Sequence, residues 1–248
     1  MVEALGARAG DLIGLVGGGG KTTLMYRAAQ DLASAGLRVA AATTTKIFRP
    51  GPEDPVALVL AQEYAELVAK LAQVKGLPVL GRSLLTETKV QGVPPEWCDR
   101  LVAEGVVDCL VVEADGAARK PVKAPEAWEP VLPAATTLFV AVVGLTCLDK
   151  PLTAEFAFRP ELVAAATGCE LGAAITPTIV ARLLAAPDGL LKGCPRGARR
   201  VILLNQADDE VSLQTARKIV RELPPEVWER VLIASLGRDR EVGEVWVA

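Results

Sequence analysis

The sequence predicts an α/β fold, a three-layer, doubly wound domain around a mainly parallel sheet, and three observations carry that expectation. Apolar runs rich in Val, Ile and Leu alternate with stretches of helical period, the pattern of parallel strands joined by crossover helices. Hydrophobic residues make up 51% of the 248 residues and mean hydropathy is +0.32, as expected where strands are buried on both faces. A run of four glycines separates the first apolar stretch from the first amphipathic one, at the sheet edge where such folds take their ligands. No tract rich in Pro, Gly or Ser divides the chain, so a single domain over 1–248 is expected.

Taken in order, the first strand is expected over 11–16 and ends in the glycine run. A helix over 21–35 follows, closed by Gly36, a residue suited to the left-handed C′ position. Further strands are expected over 37–43, 78–81, 107–113, 137–143, 200–205 and 230–235, each an apolar run bounded by turn residues. Further helices are expected over 63–70, 95–104, 160–167, 177–184 and 213–223; Pro160 and Pro177 suit a first helical turn. The apolar stretch 131–148 contains Pro133, Thr136, Thr137, Gly144 and Thr146, and its centre is rich in strand formers, so it reads as a buried strand rather than a membrane span.

Composition narrows the chemistry. The chain has no histidine, which removes Ser-His dyads and histidine metal ligands together. Net charge is −3, pI is near 5.3 and the cations form no long tract, arguing against nucleic acid or an anionic membrane as partner. Residues 1–11 carry acidic side chains and no apolar core of a signal peptide, and the five cysteines are scattered, both fitting a cytoplasmic protein.

The glycine run continues as Gly17-Gly18-Gly19-Gly20-Lys21-Thr22-Thr23, a P-loop at a strand-to-helix junction. Residues without a Cβ let successive N–H groups and the helix's positive end converge on a phosphate. Lys21 would reach the outer phosphates and the Thr22 hydroxyl would ligate Mg²⁺. The strict pattern asks for glycine where Leu15 stands. Val16 stands where P-loops of the partitioning and nitrogenase-type ATPases carry a second lysine, so no lysine finger is donated from that position; a homodimer is otherwise compatible with the sequence.

The strand over 107–113 runs into Glu113-Ala114-Asp115-Gly116, an acidic strand end of Walker B type that would hold Mg²⁺ or position a nucleophile. Glu113 and Asp115 are two residues apart, and the spacing leaves open which one meets the metal. The strand over 200–205 is followed by Asn205-Gln206-Ala207-Asp208, where GTPases read guanine with Asn-Lys-x-Asp, and Ser235 lies in a later loop resembling the one that completes guanine recognition. Gln206 replaces the base-stacking lysine, so ATP and GTP both remain open. Thr44, Thr45 and Lys46 follow the second strand and would face the γ-phosphate or an acceptor. Arg119, Lys120 and Lys123, on a loop stiffened by Pro121 and Pro125, have the makings of an anion clamp. Cys147, just past a strand end, is a candidate sulfur or selenium carrier, with a small core residue as its alternative.

The segments VGGGGKTT, ATTTKI, VVEADGAARKPVKAP, WEPVLP and VILLNQAD, in this order from Ile13 to about Asp208, resemble the YqeC family of accessory proteins for selenium-dependent molybdenum hydroxylases. The resemblance implies a P-loop protein acting in maturation of such an enzyme, with the hydroxylase or its cofactor-assembly proteins as partners. The family pattern has histidine before Glu-Pro-Val, where this chain has Trp128, so that histidine is no obligatory group here. Glu113-Ala114-Asp115-Gly116 also resembles the E-x-x-G element of GTPases that assist hydrogenase, urease and cobalamin-enzyme assembly. The nickel-delivering members of that group carry His-rich stretches or close cysteine pairs, and neither is found in this sequence. The expectation is an Mg²⁺-dependent accessory protein that binds and hydrolyses a nucleoside triphosphate. A transferase or ligase activating a small acceptor and a non-catalytic nucleotide-binding regulator are the alternatives.

Overall fold

The protein, described by a computed structural model over residues 1–237 and 241–248, divides by its internal contacts into two compact units. The first comprises Met1–Leu15, Met25–Gly116 and Val131–Leu138, the second Val16–Leu24, Ala117–Pro130 and Phe139–Ala248.

In the first unit, α1 (Val2–Leu5) leads to β1 (Leu12–Gly17), whose last two residues already belong to the second unit, as does the first turn of α2 (Lys21–Ser34). Then come β2 (Val39–Thr43), β3 (Lys46–Phe48), β4 (Val56–Leu60), α3 (Tyr64–Leu71), β5 (Leu77–Gly81), β6 (Ser83–Thr86), β7 (Lys89–Gln91), α4 (Pro95–Ala103) and β8 (Cys109–Glu113). Every residue of β1, β2, β5 and β8 is buried, which is why these strands read as unbroken apolar runs. On one face, Leu12, Ala42, Leu80, Leu110 and Val112 pack against Leu67 of α3 and Trp97 and Leu101 of α4. Each fully buried Leu or Val contributes about 1.5–3 kcal/mol. Ile13, Leu15, Ala41, Val79 and Val111 are also buried and, by the strand period of two, point to the opposite face. The parallel register of β2 with β8 sets Thr43 beside Glu113 at the carboxyl ends of both strands. β3, β7 and β6 form a separate antiparallel sheet that buries Ile47 and Val90.

The second unit contains β9 (Val122–Lys123), β10 (Leu138–Gly144, its first residue counted with the first unit), β11 (Ala157–Phe158), α5 (Pro160–Thr167), α6 (Pro177–Ala185), β12 (Arg199–Asn205), α7 (Glu210–Glu222), β13 (Arg230–Ser235) and β14 (Glu241–Val247). Proline opens both α5 and α6, where its missing N–H is no loss. β12 and β13 are parallel, and β14 returns antiparallel along β13. In sheet order the first unit runs β1-β8-β2-β5-β4 and the second β14-β13-β12-β10, so the α/β class with a large, mainly parallel sheet is the observed one.

All seven expected strands and all six expected helices are present, with ends shifted by a few residues. The largest shift is in α7, which starts at Glu210 because Asp209 and Ser212 cap it reciprocally. The stretch read as a strand rather than a membrane span is β10, buried throughout. Among the described residues, no helix is long and apolar enough to cross a membrane.

Candidate functional site

The glycine loop lies in the second unit. β1 continues through Val16 and Gly17, so Leu15, which replaces the glycine of the strict pattern, is a buried strand residue. Gly18 N–H donates to the Val142 carbonyl at 2.9 Å and Gly19 N–H to the Lys120 carbonyl at 3.0 Å. Gly20 has φ +132°, and a Cβ there would lie 2.3 Å from the Asn205 amide nitrogen, so no other residue fits. Lys21 heads α2, is only 4% exposed, and folds back so that its ammonium donates to the Gly17 carbonyl. Thr22 is half-buried and Thr23 exposed.

Asn205, at the end of β12, uses both ends of its amide. Its Nδ2 donates to the Gly19 carbonyl at 2.8 Å and its Oδ1 accepts from Leu236 N–H at 3.0 Å. The Asn-Gln-Ala-Asp loop, the loop after β13 and the glycine loop are therefore bonded through one side chain. Ser235 Oγ donates to Asp208 Oδ1. Asp208 is not the helix cap; that role falls to Asp209. Gln206 has left-handed backbone (φ 68°), and its Oε1 accepts from Thr146 Oγ1 at 2.7 Å. The Gln206–Thr146 pair had no signal in the sequence, since the two residues are sixty positions apart.

Of the three cations expected to form a clamp, one lies inside the protein. Arg119 is exposed and Lys120 half-buried, its ammonium donating to the Glu155 carbonyl at 2.8 Å. Lys123 is fully buried and ion-paired with Glu129 at 2.7 Å, so its charge is spent inside the protein and it drops out of the clamp. Arg159 joins the same Glu129 and pairs with Glu126 at 3.2 Å. Burial alone would raise the Glu129 carboxyl, but the Lys123 and Arg159 bonds outweigh it and hold it below its usual range. The signal in the sequence for this pair is Glu129, six positions after Lys123. Cys147 is fully buried and burial pushes its thiol up to about 12, which fits the core-residue alternative.

Glu113, Asp115, Thr44, Thr45 and Lys46 belong to the first unit. Glu113 and Asp115 are buried at and just beyond the end of β8. Thr43 Oγ1 and Thr44 N–H both donate to the Glu113 carbonyl, at 3.1 and 3.2 Å, while Thr44 Oγ1 donates to the Val131 carbonyl at 2.6 Å. Thr45 N–H donates back to Thr43 Oγ1 at 3.2 Å, and Lys46 is exposed at the start of β3. Tyr26, unremarked in the sequence, is half-buried; burial and the charges of Asp54 and Glu113 push its phenol well above its usual range. Among the described residues, no group of three or more His, Cys, Asp or Glu side chains is placed to hold a metal ion.

Residues 13–161 match the family described as YqeC protein. The chain is also 33% identical over 196 residues to a protein of Escherichia coli (strain K12) named "Uncharacterized protein YqeC", covering 79% of this chain and 75% of the relative.

Proposed function

Because the chain belongs to the YqeC family, whose E. coli relative bears no activity in its name, we propose a function from the site itself: binding and hydrolysis of a purine nucleoside triphosphate with Mg²⁺. What supports it is the Asn205 side chain, which bonds the Gly19 carbonyl of the glycine loop and the Leu236 amide of the loop after β13. Phosphate loop and base-reading loops are thereby held in one unit. In this reading, Lys21 and the loop amides bind phosphates, the Thr22 hydroxyl serves as a hard oxygen donor for Mg²⁺, and Asp208 with Ser235 reads the base. When bound, Mg²⁺ neutralises developing charge on the phosphates.

Guanine is favoured over adenine because Asp208 is left out of the helix cap and its carboxylate is oriented by Ser235. A carboxylate accepts from the N1–H and amino group of guanine, and adenine offers no matching pair of donors. The cellular role that accompanies this reading is assistance to the maturation of a selenium-dependent molybdenum hydroxylase, carried by the resemblance of the 113–125 segment.

Calorimetric titration with MgGTP and MgATP tests the nucleotide site. The parent protein should bind, GTP the tighter, and Lys21→Ala should lose most of the affinity because a buried cation no longer meets the phosphates. Equal affinities in parent and variant would sink the reading.

A further inference from the structure

The loop amides that a phosphate would use are not idle. Gly19 N–H donates to the Lys120 carbonyl at 3.0 Å, and one strand away Gly144 N–H donates to the Pro121 carbonyl at 2.8 Å. The approach is close: a Cβ on Gly18 would lie 2.5 Å from the Lys120 oxygen and 3.1 Å from the Pro121 oxygen. A phosphoryl group is larger than a methyl group and carries negative charge. It cannot rest over Gly18 while two carbonyl oxygens, themselves the negative ends of dipoles, are held there.

The segment that supplies these carbonyls, residues 117–123, is built under tension at one end and fastened at the other. Ala118 and Arg119 are consecutive non-glycine residues with left-handed backbone, φ 47° and 62°. Lys120 N–H closes the turn on the Ala117 carbonyl at 2.8 Å. At the far end, β9 pairs with β11 and Lys123 is buried against Glu129. Two adjacent left-handed residues are unfavourable for side-chain-bearing amino acids, so the docked turn is held by its contacts with the glycine loop, Gly144 and Glu155 rather than by local preference.

We propose that residues 117–121 form a strap that competes with the nucleotide for the glycine loop, so that phosphate binding and strap docking exclude each other. The inference rests on the nucleotide reading above. When phosphate takes the Gly19 N–H, the Lys120 and Pro121 carbonyls withdraw, Gly144 N–H loses its acceptor, and the Lys120 ammonium leaves Glu155. Nucleotide occupancy is thus converted into a movement of Arg119 and Lys120, pivoting on the fixed Lys123.

Hydrogen exchange of the full chain, with and without saturating MgGTP or MgATP, reads both ends of the competition. The Gly19 amide should gain protection while the Gly144 amide, at the end of β10, exchanges faster. A paired substitution at Ala118, outside the binding machinery, gives the energetic test. Ala118→Gly accepts the left-handed backbone, favours the docked strap and should weaken nucleotide affinity about fivefold or more. Ala118→Val resists that backbone and should tighten binding by about the same factor. A merely structural role for residue 118 would not move the two variants in opposite directions. Nucleotide binding with unchanged Gly144 exchange, or with both variants shifted the same way, overturns the strap and leaves the nucleotide reading standing. Failure of the parent and of Ala118→Val to bind either nucleotide overturns both.

Discussion

At the scale of single residues, the side chains that decide most are buried charges. Lys123 is fully buried and Glu129 nearly so, and Arg159 completes the group. Removing one member of a buried ion pair strands the other in low dielectric, so Glu129→Gln should destabilise the protein by about 3–5 kcal/mol at neutral pH. The folded carboxyl lies below its unfolded value of about 4.3, so its contribution is complete above that value and fades as pH falls through the lower, folded one. Urea denaturation of parent and variant between neutral and strongly acid pH should show a stability gap that closes only in acid. A gap independent of pH would mean that packing, not charge, is what Glu129 contributes. For Glu113 and Asp115 the expectation concerns rate. A carboxylate that positions water or metal matters chiefly in the transition state, so Glu113→Gln or Asp115→Asn should lower kcat on the order of a hundredfold with little change in nucleotide affinity. If steady-state kinetics find normal turnover in both, the strand-end carboxylates have no part in hydrolysis.

At the scale of elements, the question is what the turn between β12 and α7 is for. Its first residue is bonded to the glycine loop, its last, Asp208, takes the Ser235 hydroxyl, and the helix is capped one position later by Asp209. If Asp208 reads guanine, Asp208→Asn should move the preference from GTP to XTP, because a buried unmatched donor or acceptor gives roughly five- to hundredfold discrimination. Competition among ATP, GTP and XTP checks this, and an ATP preference untouched by the substitution would assign the turn to structure alone. The buried strands and the glycine loop were legible because their signals are local: an unbroken apolar run, or Gly-Lys-Thr at its end. β4 escaped notice because Val56–Leu60 is a plain aliphatic run whose strand identity depends on pairing with β5. The two- and three-residue strands β3, β7, β9 and β11 are too short to show a period, and the pairings of β3 with β7 and of β9 with β11 are distant in sequence. The Lys120 carbonyl that meets Gly19 N–H could not be read, because any residue type supplies a carbonyl.

At the scale of the whole molecule, the glycine loop is a junction through which one unit is tied together. Val142 of β10 accepts from Gly18, Asn205 of β12 holds Gly19, and Leu236, following β13, donates to Asn205. A ligand seated on that loop adds its bonds to a network that must break for this unit to unfold, and the stabilisation follows mass action. At a free nucleotide concentration about a hundred times Kd it amounts to roughly 2.7 kcal/mol. With the 248-residue chain unfolding as one, each kcal/mol moves Tm by about 2–4 °C, so a rise of roughly 5–10 °C is expected with the preferred Mg²⁺-nucleotide. Lys21→Ala removes, among other contacts, the hydrogen bond to the Gly17 carbonyl and so shifts Tm even without ligand. The nucleotide-induced rise, however, should vanish in that variant at the same ligand concentration. Thermal denaturation of both proteins with and without ligand separates the two effects. A rise of equal size in parent and variant would place the nucleotide somewhere other than the glycine loop, and no rise in the parent at saturating ligand would remove the glycine loop as a phosphate site.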